Sequence, residues 1–119
     1  MNDYKVTQME QIEYSDFKKL EIKVGKILKV ERIPRTEKLY KLQVDVGSEK
    51  TRQIITSLVP YYKEEELLNQ IIVVLVNLKP TKFAGELSEG MLLCAEKEDE
   101  SECVLLTTEK DISTGTQIT

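Results

Sequence analysis

The chain has 119 residues, 40% hydrophobic and 32% charged, with a formal net charge of −4 at pH 7. This length indicates one domain, residues 1–119, and the composition is typical of a globular protein rather than of a disordered or membrane-spanning one. The chain has two cysteines and no histidine. It therefore has few ligands for a zinc site and lacks the commonest general base, and we predict no metal and no other cofactor.

Targeting signals are not evident in the sequence. The segment Met1–Tyr14 is polar and has no apolar core of the kind found in signal peptides. No stretch approaches the roughly 18 apolar residues of a membrane span. We therefore expect a cytoplasmic protein with no membrane partner. In that reducing compartment Cys94 and Cys103 are expected to be small buried hydrophobes.

Charge is distributed unevenly along the chain. From Lys18 to Arg52 there are 11 basic and 5 acidic residues, whereas from Thr56 to the end there are 5 basic and 12 acidic residues. This asymmetry is compatible with ordinary solvated strands, but it also suggests a local face for a polyanion.

The first half of the chain predicts three strands after a short turn or helical turn at Asp16–Leu20. Glu21–Ile33 is a long strand, and Gly25 within it is a natural place for a bulge or bend. Tyr40–Val46 alternates cleanly between apolar and polar residues, which is the period-2 pattern of a half-buried strand. Arg52–Ser57 alternates more weakly and is the third strand.

The second half begins with a short helix, Pro60–Leu68, whose stop signal is Asn69. Ile71–Val76 is apolar on both faces and predicts a central buried strand. Further strands are expected at Met91–Glu96 and Cys103–Thr108. Three strands, a short helix and two or more further strands, with a curved first strand, indicate an all-β OB-fold, a five-stranded Greek-key barrel with extra N- and C-terminal elements.

The segment from Asn77 to Met91 is the strongest site candidate, because a loop this long between two strands is usually functional or disordered. OB-folds bind nucleic acid or sugars with this loop, with the loop between the first two strands and with the face of strands two and three. On this mapping, basic side chains of phosphate-binding type include Lys23, Lys26, Lys29, Arg32, Arg35, Lys38, Arg52, Lys79 and Lys82. Asn77 and Ser88 can donate hydrogen bonds, and Phe83 and Met91 are either core residues or contacts for an unstacked base.

Several short motifs together resemble one known family. They are Asp16-Phe17-x-Lys19-Leu20, Val24-Gly25-Lys26-Ile27, Glu37-Lys38-Leu39-Tyr40, Val44-Asp45-Val46-Gly47, Pro60-Tyr61-Tyr62, Glu65-Glu66-Leu67, Val76-Asn77-Leu78-Lys79-Pro80 and Ser88-Glu89-Gly90-Met91-Leu92-Leu93. Over about Tyr14 to Ile118 the chain resembles the tRNA-binding domain of methionyl-tRNA synthetases, of the endothelial monocyte-activating polypeptide and of stand-alone dimeric tRNA-binding proteins. Because no synthetase body is attached, the stand-alone type or a separate synthetase β-subunit is the nearest match.

The resemblance implies an OB-fold that binds tRNA by shape, without strong preference for one tRNA, and a homodimer built from the N- and C-terminal additions. Methionyl-tRNA synthetase is the implied partner. Carried over position by position, the tRNA-binding residues are Lys26, Lys38, Asn77, Lys79, Lys82, Ser88, Glu89 and Met91. Lys23 and Arg52 are added from charge and placement.

This chain departs from the family pattern at three places. Ala84 stands where relatives often have a basic residue before Gly85, Thr56-Ser57 replaces a usual Ser-Gly, and Asn69-Gln70 replaces a usual Gly-Lys. Ala84 and Gln70 each remove a possible phosphate contact, so tRNA affinity is expected to be lower than in a typical relative.

Two alternatives remain beside tRNA binding. The same barrel resembles the CsaA-type export chaperones, which bind unfolded presecretory peptides. An enzyme would need paired carboxylates such as Glu86 and Glu89, but no pocket-forming sequence surrounds them, and we expect solvated loop charges and no catalysis. The basic first half and the retained motifs favour tRNA over peptide.

Overall fold

A computed structural model describes residues 9–119, which form an antiparallel barrel with two short helices. The elements are α1 Tyr14–Lys18, β1 Ile22–Arg32, β2 Tyr40–Asp45, β3 Arg52–Thr56, α2 Glu64–Leu67, β4 Ile71–Leu75, β5 Thr81–Phe83, β6 Glu86–Ser88, β7 Met91–Leu92, β8 Cys94–Glu96 and β9 Cys103–Leu105. Five of the strands form one sheet in the order β3-β2-β1-β4-β7. Helix α1 precedes the sheet, and α2 lies between β3 and β4, as expected for an OB-fold.

The core follows the predicted alternation most clearly in β2. Tyr40, Leu42, Val44 and Val46 are all buried, while the residues between them are partly exposed. Burial on one face of a pleated strand fixes its register, because a one-residue slip would move every apolar side chain to the solvent. The all-β OB-fold class was therefore predicted correctly, as was the succession of β1, β2, β3 and β4 along the chain.

The predicted bulge in β1 is misplaced. The register with β2 shifts between Ile27 and Lys29, so Leu28 is the extra residue and is 45% exposed. Gly25 instead pairs regularly with Ile72. A Cβ atom at position 25 would lie only 3.0 Å from a Val74 methyl group, so this glycine permits close packing inside the barrel rather than a bend.

The predicted helix at 60–68 is shorter than expected. The α-helix covers Glu64–Leu67 only, and the preceding residues form a turn in which the amides of Tyr61 and Tyr62 both donate to the Leu58 carbonyl. Asn69 has φ of 68°, which confirms it as the left-handed stop. None of the helices among residues 9–119 is long and apolar enough to cross a membrane.

The C-terminal tail pairs with the outer side of β1. The Val24 amide donates to Thr116, the Gly115 amide donates to Val24, and the Ile118 amide donates to Ile22. Ile118 therefore anchors the tail to the start of β1. The tail covers backbone groups of β1 that the sheet leaves unpaired.

Candidate nucleic-acid interface

The long segment after β4 is a β-hairpin and not an irregular loop. β5 and β6 pair in antiparallel register, Lys82 opposite Leu87 and Phe83 opposite Glu86. The turn consists of Ala84 and Gly85, with φ of 52° and 80°. Two positive φ angles are typical of the type I′ turn, whose twist matches that of the flanking strands. The glycine at the second turn position is the feature of the sequence that could have indicated this hairpin. We had predicted a long loop for the whole segment from Asn77 to Met91.

The strand that follows is also divided. The predicted strand Met91–Glu96 becomes β7, which pairs with β4, and β8, which pairs with β9. Between the hairpin and β7 the Glu89 amide donates to the Gln53 carbonyl at 2.7 Å. This bond joins the segment to β3 and brings the two ends of the sheet together.

A chain of alternating charges links the first loop, two strands and the hairpin. Lys29 pairs with Glu31 at 3.1 Å, Lys41 lies between Glu31 and Glu86 at 4.0 and 3.5 Å, and Arg35 pairs with Glu86 at 3.4 Å. The hydrogen bond and charge of Lys29, followed by the charge of Lys41, hold the pKa of the Glu31 carboxyl below its ordinary value. Exposed ion pairs contribute little stability. We therefore assign this network the role of orienting the hairpin relative to the first loop and to β1 and β2.

Arg35 also donates a hydrogen bond to the backbone carbonyl of Ala84 at the hairpin tip. The sequence marked Arg35 only as a basic residue of phosphate-binding type. Its partnership with the hairpin joins positions 49 residues apart in the chain. Glu86, considered above as a carboxylate for catalysis, is engaged by Arg35 and Lys41.

Two of the predicted tRNA-binding residues use their polar atoms within the fold. The Asn77 carboxamide accepts from the Glu21 amide at 2.9 Å and donates to the Lys19 carbonyl at 2.7 Å, which ties the residues after α1 to the end of β4. The Ser88 hydroxyl accepts from the Ile55 amide at 3.0 Å, donates to the Gly90 carbonyl at 3.1 Å and is buried. Both side chains therefore have a structural role in the fold, and their contact with tRNA stays a prediction.

Arg52 and Glu89 are engaged in the same way. The Arg52 guanidinium donates to the Val76 carbonyl at 2.7 Å and to the Glu89 carbonyl at 3.1 Å. The Glu89 carboxylate accepts from the Gln53 amide at 3.3 Å. Arg52 thus holds the backbone on either side of the hairpin, and Glu89 joins the segment after the hairpin to β3.

The other predicted tRNA-binding residues lie in two separate regions, one around the hairpin and one in β1. Lys79, Ser88 and Met91 line one pocket, and Leu39, next to Lys38, lies on its wall. Among residues 9–119, the ammonium groups of five predicted lysines make no ion pair. These are Lys23, Lys26, Lys38, Lys79 and Lys82.

Lys23 and Lys26 do not join the pocket. They lie in β1, opposite Val74 and Ile71 of β4. The structure therefore separates a group around the hairpin from two lysines on the barrel wall.

The pocket lies between the hairpin, β3 and the strands β7 to β9, and has a volume of about 360 Å³. Its lining includes both cysteines. Cys103 is buried as predicted, whereas Cys94 is only partly buried. Burial, followed by the neighbouring Cys103, raises the pKa of the Cys94 thiol to about 12. This thiol is therefore a weak nucleophile near neutral pH.

Comparisons with known proteins agree with this geometry. Residues 22–117 match the family described as "Putative tRNA binding domain". The chain is 47% identical over 111 residues to the methionine–tRNA ligase of Methanocaldococcus jannaschii, a match that covers 93% of this chain and 17% of that protein. It thus spans about a sixth of the length of the curated relatives it matches.

Two solved structures match nearly end to end. A MetRS-related protein from Pyrococcus horikoshii has a TM-score of 0.85 and 39% identity, covering 92% of this chain and 99% of that one. The CsaA chaperone protein from Picrophilus torridus has a TM-score of 0.81 and 32% identity, covering 92% of this chain and 100% of that one. The sequence motifs, the barrel fold and the family match all point to the same family. The chain belongs to the tRNA-binding domain family.

Proposed function

We propose that this chain binds folded tRNA by shape, without catalysis, either in trans or as a β-subunit of methionyl-tRNA synthetase. One observation carries the proposal: the hairpin segment presents the exposed Lys79 and Lys82, and Arg35 anchors its tip to the first loop. Fixed cations of this kind attract phosphates without reading sequence. Lys38 lies on the first loop and completes the proposed footprint.

The relatives support the synthetase connection. In the methionine–tRNA ligases the matched region is a small part of a longer protein, whereas the Pyrococcus horikoshii MetRS-related chain has nearly the extent of this one. Both relatives are named after this synthetase. A complex with the synthetase is the partner we propose beside tRNA, in the cytoplasm.

A homodimer is also proposed. Large apolar side chains are exposed on the segments outside the barrel strands: Met9, Ile12 and Tyr14 before β1, and Leu106 and Ile112 after β9. Exposed apolar surface on such additions is typical of an interface between chains. Sedimentation at several concentrations tests this, and a monomer at every concentration contradicts it.

The function is tested by gel shift with total tRNA at two salt concentrations. We expect binding that weakens with salt, and weaker binding for Lys79→Ala and Lys82→Ala, each with a salt slope smaller by about 1. Lys50→Ala is the matched control, because Lys50 is an exposed lysine in the turn between β2 and β3 and is not part of the hairpin. No shift at low salt contradicts the proposal.

The second candidate is a peptide chaperone, favoured by the CsaA match and by the apolar pocket. It predicts binding of apolar peptides that resists salt, because burial of apolar surface is not screened. Competition decides between the two functions. If tRNA fails to displace a bound apolar peptide and gives no shift of its own, the chaperone function replaces tRNA binding.

A further inference from the structure

The pocket beside the hairpin is larger and more apolar than phosphate binding requires. Its volume of about 360 Å³ lies at the lower end of the ~300–1,000 Å³ of small-molecule sites. Phe83 and Met91 line it and keep exposed fractions of 46% and 53%. A flat aromatic ring and a flexible thioether therefore face a space that no described side chain fills.

Charged side chains of both signs line this pocket. Lys79 lines it on the side of the segment after β4, and Glu96 lines it on the side of β8. The turn from Glu96 to Glu102 holds five acidic residues and one lysine. A phosphate is therefore attracted to Lys79 and repelled by Glu96, and the apolar side chains of the lining suit an uncharged group.

We propose that this pocket receives one unpaired nucleobase of an RNA whose backbone phosphate lies at Lys79. The inference rests on the proposed function and adds to it a base-binding subsite. An unstacked base gains contact by packing on an aromatic side chain, and Phe83 is the aromatic residue that the pocket offers. Shape-directed binding to tRNA and stacking of one extruded base are compatible, because stacking tolerates every base.

The test compares two probes that differ only in their bases. A fluorescein-labelled oligoadenylate and an abasic oligomer of the same length and charge are titrated against the full chain by fluorescence anisotropy. We expect the oligoadenylate to bind on the order of tenfold more tightly than the abasic oligomer. Phe83→Ala is expected to bring this ratio close to one without changing the affinity for the abasic oligomer.

A second variant fills the pocket without removing a cation. Ser57 lines the pocket and is exposed, so Ser57→Trp should occlude the space and abolish the preference for the oligoadenylate. Ser48→Trp, in the turn at the opposite end of β3, is the control and should keep the preference. Circular dichroism of each variant checks that the barrel has folded.

The outcomes separate this inference from the proposed function. Equal binding of both oligomers by the wild type, with tRNA still bound, overturns the base-binding pocket and leaves tRNA binding intact. Failure of tRNA itself to bind removes the proposed function and this inference with it. An apolar peptide that Ser57→Trp excludes, and that oligoadenylate does not displace, assigns the pocket to a polypeptide instead.

Discussion

The Arg35 guanidinium donates a hydrogen bond to the backbone carbonyl of Ala84 and pairs with the Glu86 carboxylate at 3.4 Å. One side chain of the first loop thus holds both the tip and one strand of the hairpin. These contacts are charge-assisted and therefore stronger than neutral hydrogen bonds. The two loops by which this fold is expected to bind nucleic acid are therefore coupled mechanically.

Replacing Arg35 should weaken tRNA binding without unfolding the protein. In Arg35→Ala the hairpin tip loses its anchor, so Lys79 and Lys82 are held less firmly. We expect several-fold weaker binding in a salt-controlled gel shift and a change of about 1 kcal/mol or less in the free energy of unfolding. Lys50→Ala removes one positive charge elsewhere and should have a smaller effect on binding. Equal losses in the two variants would mean that Arg35 acts through charge alone.

Removing the Ser88 hydroxyl should affect stability first. Ser88→Ala leaves the Ile55 amide without its partner in a buried position, which costs ~1–3 kcal/mol. Urea denaturation measures this loss, and Ser57→Ala, at an exposed serine, should be almost neutral. At a temperature where both variants are folded, tRNA affinity should be retained. A stable Ser88→Ala variant that no longer binds tRNA would instead indicate a direct contact.

Ala84 is a weak point of the hairpin for a conformational reason. It adopts φ of 52°, a left-handed conformation that is unfavourable for alanine. Ala84→Asn creates an Asn-Gly turn, which favours the type I′ geometry, and should stabilise the hairpin by about 1 kcal/mol. Slower hydrogen exchange at the hairpin amides is the measurement. Ala95→Asn, within β8, should give no such protection, and equal protection in both variants would contradict the explanation.

The Cys94 thiol should make the protein less stable at alkaline pH. Its pKa is raised from 9.0 to about 12 in the folded state, so between these values the unfolded chain releases a proton that the folded chain keeps. The free energy of unfolding should therefore fall as pH rises above about 9. Denaturation at pH 8 and pH 10 measures the fall, which should be smaller in Cys94→Ala.

Two tyrosines also contribute to the loss of stability at alkaline pH in that experiment. Burial, followed by the charge of Glu64, raises the pKa of Tyr40, and burial followed by Glu96 raises that of Tyr61. Both shifts also lower the free energy of unfolding as pH rises, and this contribution remains in Cys94→Ala. An unchanged pH dependence in Cys94→Ala would show that the tyrosines account for the whole effect.

Local patterns explain why most of the fold was predictable. Alternation in β2, the double-sided apolar run of β4 and the Asn69 stop each depend on a few adjacent residues, and all three were predicted correctly. The wrong predictions concern features that depend on residues distant in sequence. The bulge at Leu28 depends on the pairing of β1 with two different strands, β4 along its first half and β2 along its second half. Gly25 was a poor indicator of the bulge, because glycine is also required where strands pack closely.

The candidate site was less predictable because sequence indicates residue type but not hydrogen-bond partner. Asn77, Ser88, Glu89 and Arg52 were predicted as contacts for tRNA, yet each has a polar atom bonded within the barrel. A conventional tRNA-contact role for these four remains a prediction. The contact of Arg35 with the hairpin was not predicted, because its partner Ala84 is distant in sequence.

By itself the sequence determined the fold class, the succession of β1 to β4, most of the core and the resemblance to a tRNA-binding family. These features depend on the periodicity of apolar residues and on contiguous motifs. Only the tertiary structure decided that residues 77–91 form a hairpin anchored by Arg35, and that Lys79, Phe83 and Met91 border one pocket. The physical reason is that hydrogen bonds and apolar contacts between distant segments form only when the barrel closes, and closure fixes which polar atoms are used and which remain exposed.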